Sequence, residues 1–142
     1  MNEDKEMNQA IAKSQEYAVS LRGKGYSCSQ CVLMALSGYL GLDEKQAARI
    51  SAAYGTGFGG SGLMCGAMSI LGVAEGMLTK GEEPIEKIDA MKRTRTLLDR
   101  FKEINDGRFL CKDLKTKEPV RKCPDLIKEG VEIFLRQHPE LM

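Results

Sequence analysis

A chain of 142 residues with 42% apolar and 29% charged side chains has material for one ordinary core, and this excludes the low-hydrophobicity composition of disordered chains. With 21 basic and 20 acidic side chains the net charge is +1, which excludes a global field drawing the protein to nucleic acid or anionic lipid. No apolar run approaches the roughly 20 residues of a membrane span, and the opening MNEDKEMNQAIAKSQEYAVSL lacks the features of an export signal, so a cytoplasmic location is expected.

Residues 3–22 place Met7, Ile11, Ala12, Tyr17, Ala18 and Leu21 at mostly three- and four-residue steps, which predicts an amphipathic helix stopped by Gly23 and Gly25. Ser27 followed by Gln30 has the form of a capping box and starts a second helix at Cys28, running to Tyr39 or Leu40. Asp43 is a natural N-cap for a third helix reaching Tyr54. Six glycines between Gly55 and Gly66 then forbid regular structure. A fourth helix follows from Cys65 to Leu78.

Pro84 suits a first helical turn, and Ile85, Ile88, Met91, Leu97, Leu98, Phe101 and Ile104 trace an apolar face through a long fifth helix ending near Asn105 to Gly107. RFLCKDLKTKEPVRKC reads as a short helical turn and a loop. A last helix starts after Cys123, with Pro124 in its first turn, and stops at His138-Pro139. No segment alternates with a period of two. The expectation is therefore all-α: a compact bundle of five to six helices in one domain over residues 1–142, with a Gly-rich central loop.

Five cysteines, at 28, 31, 65, 111 and 123, form an odd number in a chain without an export signal, which argues against a disulfide framework. Cys28, Cys65 and Cys123 fall at or beside predicted helix N-termini, where free backbone N–H groups favour a thiolate. Cys28 and Cys31 make a CxxC pair, without the βαβ context of thioredoxin-like proteins. The spacing fits neither a zinc ribbon nor a ferredoxin run, so a metal site has to be assembled by the fold; four thiolates then hold zinc, iron or an iron–sulfur cluster.

The stretch GTGFGG matches GxGxxG, but it follows a helical pattern, which removes the dinucleotide-binding context. Its alternatives are backbone approach to the thiols or a tight helix connection. Residues 108–122 carry a local charge of +4 without interleaved aromatics. That balance suits an acidic redox partner and argues against nucleic acid. His138, the single histidine, reads as a surface cap.

The segments SCSQCV and CGAMSI, followed by Cys111 and Cys123, resemble a family of small redox-active proteins named C_GCAxxG_C_C. The likeness spans residues 26–134 and places Cys28, Cys65, Cys111 and Cys123 at the four family positions. Ile70 stands where the central motif has glycine, and Cys31 is additional. The resemblance implies a redox role.

Three readings follow. In a dithiol protein Cys28 attacks and Cys31 or Cys65 resolves. In a metalloprotein Cys28, Cys65, Cys111 and Cys123 are ligands to an iron–sulfur cluster, iron or zinc, redox-active or redox-silent, backed by Gly62 and Gly66. In a binding or assembly module the cysteines pack the core and an apolar helix face forms a homodimer.

Overall fold

The computed structural model describes residues 2–142. Its regular structure is seven α-helices and two short 3-10 turns, with no strand among the described residues. The helices are α1 (Asn2–Gly23), α2 (Cys28–Leu40), α3 (Glu44–Ser51), α4 (Gly66–Thr79), α5 (Glu86–Ile104), α6 (Cys111–Thr116) and α7 (Cys123–Gln137). The all-α expectation holds. The number is seven rather than five to six because the segment after Gly107 winds the short α6.

Helix α2 is central, packed against α1, α3, α4 and α7. Its sequence CSQCVLMALSGYL has no charged residue, and Cys28, Ser29, Cys31, Val32, Leu33, Met34, Leu36 and Ser37 are all buried. A helix apolar on every side belongs in a core. Both ends are capped. Ser27 and Gln30 complete the reciprocal capping box, and Gly41, at φ 67°, takes the left-handed conformation that ends the helix.

Ile11, Ser14, Ala18 and Leu21 form the buried stripe of α1, which lies on α2 and α7. Helix α7 crosses the start of α4 closely at Gly130, where an added Cβ would stand 2.7 Å from the Ala67 carbonyl oxygen. Absence of a side chain sets this approach.

Helix α5 departs from expectation. Leu97 and Phe101 are its buried residues, whereas Ile85, Ile88 and Met91 are 76%, 48% and 66% exposed. The N-terminal half of the predicted apolar face is uncovered because neighbouring α4 ends at Thr79 and the contacts there are between small groups, Gly72 of α4 against the Thr94 methyl and Gly81 of the following turn near Ala90. No helix among the described residues is long and apolar enough to cross a membrane.

Candidate functional site

Four of the five cysteines stand at helix starts. Cys28, Cys111 and Cys123 are the first residues of α2, α6 and α7, and Cys65 is the N-cap of α4. Cys31 lies one turn inside α2, fully buried, with its thiol 3.7 Å from the Tyr26 carbonyl oxygen. Cys28, Cys65 and Cys111 are also buried, and Cys123 is half-buried. All five are free thiols.

Backbone pairing brings distant segments together. Residues 55–65 connect α3 and its 3-10 extension to α4, with positive φ at Thr56, Gly57, Phe58, Gly59, Gly60 and Gly62. The end of this segment pairs with the start of α6 through an isolated antiparallel bridge between Met64 and Leu110. The Cys65 N–H donates to the Phe109 carbonyl at 2.9 Å, and the Cys111 N–H donates to the Leu63 carbonyl at 2.6 Å. Two cysteines far apart in sequence are thereby held on neighbouring strands of backbone.

The start of α2 is anchored separately. Ser29 donates to the Ser51 carbonyl at 2.8 Å and Gln30 to the Ala48 carbonyl at 3.0 Å, tying α2 to α3. Cys28 then faces Gly66: a Cβ there would meet Cys28 Sγ at 2.7 Å and the Tyr54 carbonyl oxygen at 2.8 Å. Gly62, at φ 74°, lies against Lys112, whose Cβ would stand 3.3 Å from an added Cβ. Of the two glycines singled out in the sequence, Gly66 touches a cysteine sulfur and Gly62 borders the chain beside Cys111.

The sulfurs share one electrostatic neighbourhood. Burial pushes Cys65 up to about 12, negative charge on Cys28 adds to the rise, and the nearby N–H groups of Ala67 and Met68 oppose it. Burial likewise pushes Cys31 up to about 11, against the opposing charge of Arg22, with Cys28 and Cys123 raising it further. Cys111 is raised by burial, opposed by Lys115, and raised again by Cys28 and Cys123.

The helix-start expectation of an acidic thiol therefore fails at Cys65, and Cys111, which begins α6, is raised as well. A helix terminus contributes about 0.3–1 kcal/mol, less than one pKa unit, whereas full burial shifts a group by up to about 3–5 units. Burial wins. Among the described residues no three Cys, His, Asp or Glu side chains stand close enough together to hold a metal ion as they are placed.

The basic segment is less free than its sequence suggests. Arg108 donates to the carbonyls of Asn105, Asp113 and Lys117. Arg121 pairs with Glu129 and Asn105, and Lys117 pairs with Asp113 at 3.3 Å. Lys112 and Lys122 remain exposed. Lys115 turns inward: its ammonium is raised by a hydrogen bond to Cys123, and the charges of Cys123, Cys111 and Cys28 reinforce that rise against burial. The sequence offers Lys115 as one of six basic residues in 108–122 that could favour thiolate at Cys111 and Cys123; its position four residues after Cys111 in a helix puts the two on one face.

His138 is a correction. Instead of capping the surface it is 4% exposed, with Nε2 2.5 Å from Oε2 of Glu75, itself fully buried. Gln137 donates to the same carboxylate oxygen at 2.8 Å, and the imidazole lies 4.8 Å from the Phe134 ring. The tail folds back because α7 ends beside the middle of α4, where a buried carboxylate needs partners.

Comparison with known proteins gives one match. A family model described as "Putative redox-active protein (C_GCAxxG_C_C)" covers residues 26–136. Neither a curated protein nor a solved structure matches the chain.

Proposed function

The chain belongs to the C_GCAxxG_C_C family, and from that footing we propose that it is an oxidoreductase or electron-transfer protein working through Cys28 and Cys65 by thiol–disulfide exchange. The observation that carries this reading is the seat of Cys28 Sγ on Gly66, the residue after Cys65. Cys28 is 8% exposed, against 3% for Cys65 and 0% for Cys31. Cys28 is therefore the thiol of the three that an outside disulfide reaches first. The high pKa of Cys65 suits a resolving thiol rather than an attacking one.

In the first step the Cys28 thiolate attacks one sulfur of a partner's disulfide. A bond from Cys28 to that sulfur forms, the partner's S–S bond breaks, and the departing thiolate takes up a proton. Cys65 then loses its proton to solvent and attacks Cys28 Sγ, closing an intramolecular disulfide and releasing the second partner thiol. Two electrons and two protons pass from the protein to the partner. Cys31, one turn away on the same helix, is the alternative resolving thiol. The exposed Lys112 and Lys122 favour an acidic partner docking near residues 108–122, in the reducing cytoplasm.

A second reading has Cys28, Cys65, Cys111 and Cys123 as ligands to iron, zinc or an iron–sulfur cluster, with Gly62 and Gly66 beside them. It is favoured by the four residues' positions at the starts of four different helices, where backbone N–H groups lack intrahelical partners. As placed, the thiols do not fit an ion.

The test is anaerobic purification followed by metal analysis, a visible spectrum, and disulfide mapping after titration with oxidised glutathione. Dithiol chemistry predicts a reversible disulfide joining Cys28 to Cys65 or Cys31, lost in Cys28→Ser. Stoichiometric metal with cluster absorption, lost on the same substitution, selects the second reading. Protein with neither metal nor any reversible disulfide overturns both.

A further inference from the structure

We infer that Arg22 is a positioning residue for Cys31, holding that thiol ready to resolve a mixed disulfide on Cys28. The inference rests on the dithiol reading above. It begins at the turn between α1 and α2, where the chain doubles back through Gly25, at φ 100°. The Gly25 N–H donates to the Arg22 carbonyl at 3.0 Å and the Tyr26 N–H to the Leu21 carbonyl at 3.3 Å. Tyr26 is thereby folded against the end of α1, just ahead of the start of α2 at Cys28.

Two side chains converge on the Tyr26 carbonyl oxygen. Arg22 Nη1 donates to it at 3.1 Å from α1, and the Cys31 thiol donates to it at 3.7 Å from α2. A carbonyl oxygen has two lone pairs and accepts both. Loss of the thiol proton, or its replacement by a disulfide bond, removes one of these donors. Arg22 stays on the other lone pair, so the oxygen keeps a partner in either redox state. The same contact puts a positive charge beside the sulfur at the moment it becomes anionic.

The surroundings of the two resolving thiols differ in kind. At Cys31 burial raises the pKa and Arg22 is the chief influence against it, while Cys28 on the same helix and Cys123 on α7 raise it further. At Cys65 the groups opposing burial are the backbone N–H groups of Ala67 and Met68. Cys31 thus draws on a side-chain cation from another helix, one that can be substituted without altering α2.

Cys28 and Cys31 are the first and fourth residues of α2, which puts their Cβ atoms about 5–6 Å apart on one helix face. A disulfide needs about 3.5–4.5 Å, and tightening of the first helical turn supplies the difference. In the resolving step the Cys31 thiolate attacks Cys28 Sγ. The Cys31–Cys28 bond forms, the bond from Cys28 to the partner's sulfur breaks, and the departing thiolate leaves with that bond's electron pair and takes up the proton that Cys31 gave up.

The test uses the full chain carrying Cys65→Ser, with Cys65→Ser/Cys31→Ser as the control that cannot resolve through Cys31. Oxidised glutathione loads Cys28, and mass spectrometry of quenched samples follows decay of the adduct from pH 7 to 10. Arg22 is exposed, so its effect is set at the low end for a close opposite charge, about one pKa unit. Its loss lowers the thiolate fraction about tenfold and raises thiolate nucleophilicity about threefold, so Arg22→Gln is expected to resolve about threefold more slowly. The rise of rate with pH is expected to move to higher pH in Arg22→Gln and to return in Arg22→Lys. Equal rates and pH profiles with and without Arg22→Gln overturn the inference and leave the dithiol reading standing. So does an adduct that resolves as fast in the Cys31→Ser control, or a slower rate in Arg22→Gln with an unmoved pH profile and no recovery in Arg22→Lys, which marks a structural role. Absence of any glutathione adduct on Cys28 removes the dithiol reading itself, and this inference with it.

Discussion

Cys28 Sγ lies 2.7 Å from the point a Cβ on Gly66 would occupy, and the Tyr54 carbonyl oxygen closes the same point at 2.8 Å. Glycine at 66 is thus a condition for the first turns of α2 and α4 to meet. Gly66→Ala is expected to cost about 1–3 kcal/mol, the usual range for overpacking, because one obstacle is backbone and cannot rotate away. Gly76→Ala, with nothing within 4 Å of its added Cβ, is the contrast: it is expected to stabilise α4 by about 0.5–1 kcal/mol. Urea denaturation of both variants checks the pair.

The buried thiols give stability a definite pH dependence. Folded Cys65 and Cys31 hold their protons up to about 12 and 11, against an ordinary 9.0. The unfolded chain releases those protons first as pH rises, so the folded state binds more protons between 9 and 12. Stability is then fully present below the ordinary thiol pKa and is lost as pH climbs through the folded values. Denaturation midpoints measured from pH 8 to 11 are expected to fall, less steeply in Cys65→Ala.

The Glu75–His138 pair separates breaking an interaction from replacing it. His138→Ala leaves a fully buried carboxylate with the Gln137 amide as its remaining side-chain donor and is expected to cost about 3–5 kcal/mol. Glu75→Leu combined with His138→Phe removes both polar groups and is expected to lie near neutral, or to stabilise. Thermal or urea unfolding of the two variants measures the difference.

Loss of the α2 cap is expected to be moderate. Ser27→Ala removes the hydroxyl that accepts from the Gln30 N–H at 3.4 Å and is expected to cost about 1 kcal/mol. Because the same turn carries Cys28, faster alkylation of that thiol is expected alongside the lowered denaturation midpoint.

Much of the helical order was legible because it rests on local chemistry. Ser27 with Gln30, Asp43, Gly41 and Pro124 mark ends that the structure places within a residue or two. Those signals also put Cys28 and Cys123 at helix starts, and the end of the glycine run put Cys65 at one. Cys111 escaped because α6 has six residues and Leu110 offers no capping side chain, so neither periodicity nor a cap announces it. His138 escaped because its partner Glu75 is 63 residues away in the chain, and burial of a polar tail is a tertiary event. The same gap explains the thiol acidities: sequence shows the helix start, which lowers a thiol pKa slightly, but not the depth of burial, which raises it more.

The Met64–Leu110 bridge has a consequence for how the protein is made. Cys28 and Cys65 emerge from the ribosome well before Cys111 and Cys123, yet the backbone pairing that seats Cys65 needs the carbonyl of Phe109. Helices α1 to α5 can be wound while the cluster still lacks its far wall. A chain cut after Gly107 keeps three of five sulfurs but loses that pin, along with Lys115. Completion of the thiol cluster thus reports that the chain through α7 has been made and folded, and a product cut before α6 is distinguishable by the ease with which its thiols are alkylated.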